Sequence, residues 1–301
     1  MSTREDTAGE VVLACLREKA ATLTAMEGPA RLDEFDAVHR MRVASRTLRS
    51  TLKTFGPLFD AVEAEHWHAE LRWLGGVLGG ARDAEVLEAQ LADLLALTPG
   101  NLVRGPVREL IDRAFAPRRE AAHEVLLAEL DSDRYPALAE GLAAFVADPP
   151  DSALTGLAAG PGARVLPPFV DRARRRVRRR MREALPMPSG AERDAALHQA
   201  RKAARQTRYA AEAVVPVFGD PAKRLGRQMK TLQDVLGARH DRIVVGEALE
   251  QLGENAHLAG ENAFTFGVLH GYAHCDARSL DEKVREAWKR VGKARRRKWL
   301  R

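Results

Sequence analysis

Of 301 residues only two are cysteine, Cys15 and Cys275. They build neither a disulfide framework nor a paired-cysteine zinc site, and their scarcity fits a reducing cytoplasm. Aromatic residues make up 5%, and no long stretch alternates apolar with polar residues, so strands are not expected. No apolar run approaches the roughly 18–20 residues needed to cross a bilayer. The longest charge-free stretch near the end, Asn262 to Cys275, carries two glycines and two histidines. The opening MSTREDTAGE is polar and acidic and lacks the apolar core of a signal peptide. A cytoplasmic protein without membrane contact is therefore expected. Lysine is scarce too, at nine residues.

Those nine lysines leave 39 of the 48 bases to arginine, against 42 acids and a net charge of +6. The planar guanidinium fork suits phosphate oxygens, although GC-rich coding explains an arginine excess equally well. The small net charge makes the placement of charge more informative than its sum. Apolar residues, at 45%, are enough for a sizeable core. Ala, Leu, Arg and Glu dominate and favour helix, so the fold class is all-α. Helices are expected over 7–26, 32–55, 61–97, 102–130 and 134–147, then over 168–185, 191–216, 221–252, 257–275 and 279–299. Between the two sets, the Pro- and Gly-rich stretch from Asp148 to Pro168 reads as a linker or long connection. It divides the chain into 1–150 and 151–301.

The two halves repeat each other. VHRMRVASRTLR from Val38 and LHQARKAARQTR from Leu197 share the pattern His-x-x-Arg-x-x-x-Arg-x-x-Arg. Further on, WLGGVLGGARDAEVL from Trp73 matches TLQDVLGARHDRIVV from Thr231, with Leu74, Val77, Leu78, Gly79 and Asp83 against Leu232, Val235, Leu236, Gly237 and Asp241. Two ordered matches at nearly one offset indicate a duplicated helical unit, and four or five helices per unit fit a four-helix bundle.

On a helical wheel His39, Arg42, Arg46, Arg49 and Lys53 fall within about 80° of arc, a stripe about 21 Å long. Met41, Ala44, Leu48, Leu52 and Phe55 lie roughly opposite, ready to pack. The second copy gives the same stripe from His198, Arg201, Arg205 and Arg208, with Lys202 adjacent. Its apolar side is Ala200, Ala204, Thr207, Ala211 and Val214. A solvated charged face normally intersperses acids, yet there is none from Ala37 to Thr54 or from Ala195 to Ala211. Like charges three and four residues apart repel by a few tenths of a kcal/mol per pair. Either an external polyanion or acids from neighbouring helices must neutralise these stripes. The histidines are mostly neutral at pH 7 and would gain charge beside phosphate. Surrounded by arginine, they make a poor metal site.

At these residues the chain resembles the CHAD domain family, a family of α-helical domains named for their histidines. The resemblance covers almost the whole chain and rests on the two His/Arg helices, on LGGARD and LGARHD, and on RYAAE from Arg208 to Glu212. It implies two pseudo-symmetric four-helix bundles, together one domain, enclosing a basic central cavity that binds inorganic polyphosphate. Association with polyphosphate granules would follow. Members often follow a triphosphate-tunnel domain, and the absence of such a β-barrel segment here suggests a domain standing alone. Carried over, His39, Arg42, Arg46, Arg49 and Lys53 line one wall of the cavity, and His198, Arg201, Lys202, Arg205 and Arg208 the facing wall. Val43 stands where the second copy has Lys202. Lys223, Arg227 and Lys230 share a face of the following helix; Arg72 aligns with Lys230, whereas Glu65 and Ala69 align with Lys223 and Arg227.

Asp83 and Asp241 either cap or buttress a helix, the favoured reading, or hold cavity arginines in place. No carboxylate cluster for metal-assisted hydrolysis lies within the stripes, so no catalysis, cofactor or metal is expected. Stacking aromatics are missing apart from Tyr209, which disfavours nucleic acid as partner. RARRRVRRRMR, from Arg172 to Arg182, surrounds its helix with charge, and some of its arginines are expected to widen the cavity mouth. KARRRKWLR at the end either grips a polyanion or, more in keeping with a terminus, frays. His270 and His274 have zinc-compatible spacing but no third ligand in view. The paired glycines Gly75–Gly76 and Gly79–Gly80 lack the features of a phosphate loop and point to close helix packing or a kink.

Overall fold

The chain enters its first helix through a reciprocal cap. Thr7 N donates to Glu10 Oε2 at 2.7 Å, and Glu10 N donates to Thr7 Oγ1 at 3.3 Å, satisfying two amides that a helix start leaves orphaned. The computed structural model describes residues 6–293 and 298–300. Among them are α1 (Ala8–Ala25), α2 (Glu27–Arg31), α3 (Ala37–Phe55), α4 (Ala61–Ala96), α5 (Val107–Asp131) and α6 (Arg134–Ala147). The second half holds α7 (Gly162–Val165), α8 (Pro167–Ala184), α9 (Ala191–Ala213), α10 (Val215–Phe218), α11 (Asp220–Leu258) and α12 (Phe264–Lys293). No strand occurs among the described residues, only isolated bridges between Thr7 and Pro161 and between Phe59 and Leu154. The all-α expectation holds. None of the described helices is long and apolar enough to cross a membrane.

Several boundaries differ from expectation, among them the helix expected from residue 102, which begins at Val107. The helix expected from residue 32 begins at Ala37, because Asp33 and Asp36 adopt left-handed φ values of 51° and 64° and break the backbone between α2 and α3. The helix expected to end at 252 continues to Leu258 as α11 and stops where Gly260 turns at φ 76°. The two helices expected over 257–275 and 279–299 are one, α12, which starts at Phe264. Nothing in Asp276, Ala277 and Arg278 interrupts it. Residues 294–297, the middle of the basic end run, lie outside the described residues.

Packing follows the buried faces. In the first half α3 lies against α1 and α4, α4 against α5, and α1 against α6; in the second, α9 lies against α8 and α11, and α11 against α12. α3 also packs on α9 and so joins the halves. One buried cluster runs through both, including Leu48, Leu52, Leu71 and Leu74 with Ala200, Ala204, Leu232 and Leu236. A second cluster joins Leu91, Ile111 and Phe115 to Val245, Leu249 and Phe266. The Pro- and Gly-rich connection is fastened rather than free. Asp60 N donates to Ala153 O (2.8 Å), Thr155 N to Leu58 O (3.0 Å), Gly9 N to Ala158 O (2.9 Å) and Ala8 N to Gly160 O (2.8 Å).

Candidate functional site

The apolar stripe of α3 is buried as its spacing predicts: Met41, Ala44, Leu48, Leu52 and Phe55 are all within the core. That orientation leaves His39, Arg42, Arg46 and Arg49 half-buried on the opposite side and Lys53 exposed. In α9 the residues Ala200, Ala204, Thr207 and Ala211 are buried, as is Val214 at its C-terminal cap. His198, Arg201, Arg205 and Arg208 are half-buried, and Lys202 is exposed. The two helices touch, with Gln206 Nε2 donating to Thr54 Oγ1 at 3.1 Å.

Their arginine rows converge at this contact. Burial, followed by the nearby Arg46, brings Arg205 down from its ordinary value to about 10; Arg201 and Arg49 add to the effect, and the Tyr209 phenol opposes it. Burial, then Arg72 and Arg46, likewise lowers Arg49. Burial acts upward on the Tyr209 phenol, yet Arg46 and Arg208 beside it bring it below its ordinary value. Arg205 thus feels Arg46 and Arg49 of the other copy of the repeat as well as Arg201 on its own helix. Arg46 Nε and Arg201 Nε are buried without a hydrogen-bond partner among the described residues.

The repeated Leu-Gly-x-x-x-Asp segments now have a physical meaning. Arg42 Nη1 donates to Asp83 Oδ1 at 2.7 Å, and its guanidinium lies over Gly79, 3.9 Å from where a Cβ would stand. In the second copy Arg201 Nη1 is 3.7 Å from Asp241 Oδ1, and a Cβ on Gly237 would meet Arg201 Nη2 at 3.2 Å. At Gly237 the missing Cβ makes room for the guanidinium, at Gly79 a Cβ would only touch it, and in each copy the aspartate one helical turn later lies beside the arginine. Both aspartates lie inside long helices, α4 and α11, so neither caps a helix, and each pairs with an arginine of the helix packed against it. Gly75, whose Cβ would lie 3.7 Å from Arg49 Nη1, continues the close approach of α3 to α4.

Four contributors escaped the sequence reading. The His240 ring lies 4.1 Å from that of His198, centroid to centroid, at 47°. Burial brings His198 from 6.5 down to about 4, with His240, Lys202, Arg201 and Arg205 pushing the same way. Burial also lowers His39, where Asp36 opposes the effect and Arg82, Arg46 and Arg42 reinforce it. His68 Nδ1 lies 3.2 Å from Arg72 Nη2. Tyr209, in the sequence only the one aromatic among the stripes, lies beside Arg46 and Arg208. His240 follows Arg82 by the same 158 residues that relate Gly79 to Gly237, and that offset was the signal for the first two.

Asp83 and Asp241 on the neighbouring helices α4 and α11, and acids on the same helix as the base they meet, supply part of the neutralisation. Besides Asp83 and Asp241, Glu212 approaches Arg208 at 3.4 Å, Glu65 approaches Arg72 at 3.9 Å, and Asp234 meets Lys230 at 2.6 Å. Lys223, exposed on α11, has Asp220 at 4.0 Å. Lys53, Lys202 and Arg227 are exposed, and none of Arg46, Arg49, Lys53, Lys202, Arg205 or Arg227 has a carboxylate within ion-pair distance among the described residues. The acids therefore sit around the rim of the arginine convergence. His270 and His274 are exposed on α12. No group of three or more His, Cys, Asp or Glu able to hold a metal occurs among the described residues. Chemically, the seam offers fixed N–H donors and positive charge, the complement of anionic oxygens.

Comparison with known proteins places this geometry in a family. The chain is 36% identical over 282 residues to the uncharacterized proteins MT2285 and Rv2226 of two Mycobacterium tuberculosis strains, CDC 1551 and H37Rv, covering 92% of this chain and 52% of each of theirs. The chain thus spans about half the length of these curated relatives. Among solved structures it is similar to PptA from Streptomyces chartreusis, with TM-score 0.75 and 25% identity over 94% of this chain and 100% of that one. It shares the fold of the CHAD domain from the plant Ricinus communis, with TM-score 0.68 and 24% identity over 95% and 92% of the two chains. The CHAD domain family model matches residues 14–250, and the chain belongs to the CHAD domain family.

Proposed function

We propose that this protein binds inorganic polyphosphate, without catalysis, along the seam between α3 and α9. The observation that carries the reading is the convergence of Arg46, Arg49, Arg201 and Arg205 from both repeats, which leaves Arg46 Nε and Arg201 Nε buried and unbonded. A buried donor without a partner costs about 1–3 kcal/mol, and a bound phosphate oxygen removes that cost. Membership of the CHAD family supports the same ligand. His39, Arg42, Lys53 and Arg72 extend the site along the first repeat. His198, Lys202, Arg208, Lys223, Arg227 and Lys230 extend it along the second. The Gly79/Asp83 and Gly237/Asp241 clamps fix the orientation of two forks before the ligand arrives. Binding follows the repeating phosphate rather than any base or metal, and in the cell it would bring the protein to polyphosphate granules.

The test is a titration with long-chain polyphosphate, pyrophosphate and single-stranded DNA at two salt concentrations. Tightest binding to long polyphosphate at equal phosphate, weakening steeply with salt as counterions are released, is expected. The double variant Arg46→Glu with Arg205→Glu should weaken binding at the seam at least tenfold while its circular dichroism stays helical. A folded double variant with unchanged affinity would remove the seam from the site. Polyphosphate incubated with the protein and Mg²⁺ or Mn²⁺ should keep its length, and shortening would make the protein a hydrolase.

A further inference from the structure

The seam leaves the densest basic run of the chain unexplained. α8 packs mainly on α9, with further contacts to α3, α7 and the turn at Lys298–Leu300, burying Val170, Ala173, Val177 and Met181. Of its exposed positions, all except Pro168 and Glu183 are arginine. Asp171 holds Arg174 and Arg175, with contacts of 2.7 and 2.6 Å, and Glu183 lies 3.8 Å from Arg179 and 3.3 Å from Arg180. Arg172, Arg176, Arg178 and Arg182 form no ion pair among the described residues. On a wheel these four span the outward arc, and along the axis they cover about 15 Å. Like charges this close repel, and a helix gains nothing in folding from such a row.

We propose that the outer face of α8 is a second polyphosphate-binding surface, separate from the α3–α9 seam. Charge complementarity sets the class of partner, a dense polyanion, and the composition of the face selects within that class. The exposed arc of α8 has no aromatic side chain on which bases could stack. It also has no large apolar side chain to enter a bilayer, since Phe169 is turned inward against Phe55 with ring centroids 5.9 Å apart. An unbranched chain of phosphates needs neither, and forks presented at successive turns can each take an oxygen from it. With four exposed forks and no buried contact, the surface is weaker than the seam. Its assignment stands whether or not the seam takes polyphosphate.

The test combines Arg172, Arg176, Arg178 and Arg182→Gln in one variant, alone and added to the Arg46→Glu, Arg205→Glu pair. The probe is long-chain polyphosphate, with single-stranded DNA and phosphatidylserine-containing vesicles as competitors at equal phosphate. The glutamine variant is expected to stay helical and to bind less polyphosphate per protein molecule. The slope of log affinity against log salt should fall by about 3, from four contacts at about 0.7 each as for single strands. The seam pair alone should leave a salt-sensitive residual binding that the glutamine changes reduce at least tenfold. If the glutamine changes alter neither background, or if DNA or vesicles displace polyphosphate from α8, the proposal is wrong. If instead the seam pair has no effect and the glutamine variant loses all binding, the seam reading fails and the α8 surface stands.

Discussion

At the scale of single residues, the glycines of the Leu-Gly-x-x-x-Asp segments separate stability from function. A Cβ on Gly237 would stand 3.2 Å from the end of Arg201, a flexible side chain that can yield by moving off Asp241. Gly237→Ala should therefore stabilise α11 by up to about 1 kcal/mol, the helix-propensity difference, while weakening polyphosphate binding several-fold. Gly79→Ala meets Arg42 only at 3.9 Å, so it should give the same gain with binding unchanged. Thermal melts paired with titrations check both. His198 makes a pH prediction. Its folded value of about 4 lies below the 6.5 of the free side chain, so the unfolded chain takes up the proton first as pH falls. The stabilisation is complete above pH 6.5 and is lost between there and about 4. Urea midpoints at pH 7 and pH 5 should differ for the parent protein and differ less for His198→Gln. An equal drop in both would clear His198 of the effect. Bound polyphosphate reverses the sign of the field at the ring, so binding should tighten over the same acid range.

At the scale of elements, α9, α11 and α12 share a buried ionic knot. Asp281 accepts from Arg193 Nη1 at 2.7 Å and from Arg239 Nε at 2.6 Å, and Arg239 Nη1 reaches Asp194 at 2.7 Å. Arg193, Arg239 and Asp281 are all buried. Removing the central carboxylate strands the buried Arg193 and leaves Arg239 with Asp194 alone, so Asp281→Ala should cost about 3–5 kcal/mol in chemical unfolding. A loss below about 1 kcal/mol would mean that water enters the knot. None of this was legible beforehand, because Arg193 and Asp281 are 88 residues apart and neither belongs to a repeated motif. The stripes of α3 and α9 were legible because a 3.6-residue period and an absence of acids are local properties. The end of α11 was not, because Gly253 reads as a stop on propensity, yet in the packed helix it lies within contact distance of Phe266, 3.4 Å from where a Cβ would stand. The break before α3 was hidden for the opposite reason. Asp33 and Asp36 take left-handed angles that the run LDEFD, with no glycine or proline, does not announce.

For the molecule as a whole, the duplication could be read from the sequence but the way its copies share a core could not. Leu48 and Leu52 lie in the same buried cluster as Ala204 and Leu236, and Phe55 meets Phe169 edge to face. Each half would therefore expose apolar surface if separated. Residues 1–150 produced alone should show no cooperative unfolding transition, whereas the intact chain should melt in one step. A sharp melt from the first half alone would show that it holds its own core.

The strap between the halves carries a practical consequence. Its backbone is paired on one side with Leu58 and Asp60 and on the other with Ala8 and Gly9, while Gly156 at its crest is exposed. A cut at that crest would sever the covalent path and spare the pairings on both flanks. The protein would then become two complementary fragments that recognise each other, and the arginines of α3 and α9 would form a polyanion receptor only when both fragments are present.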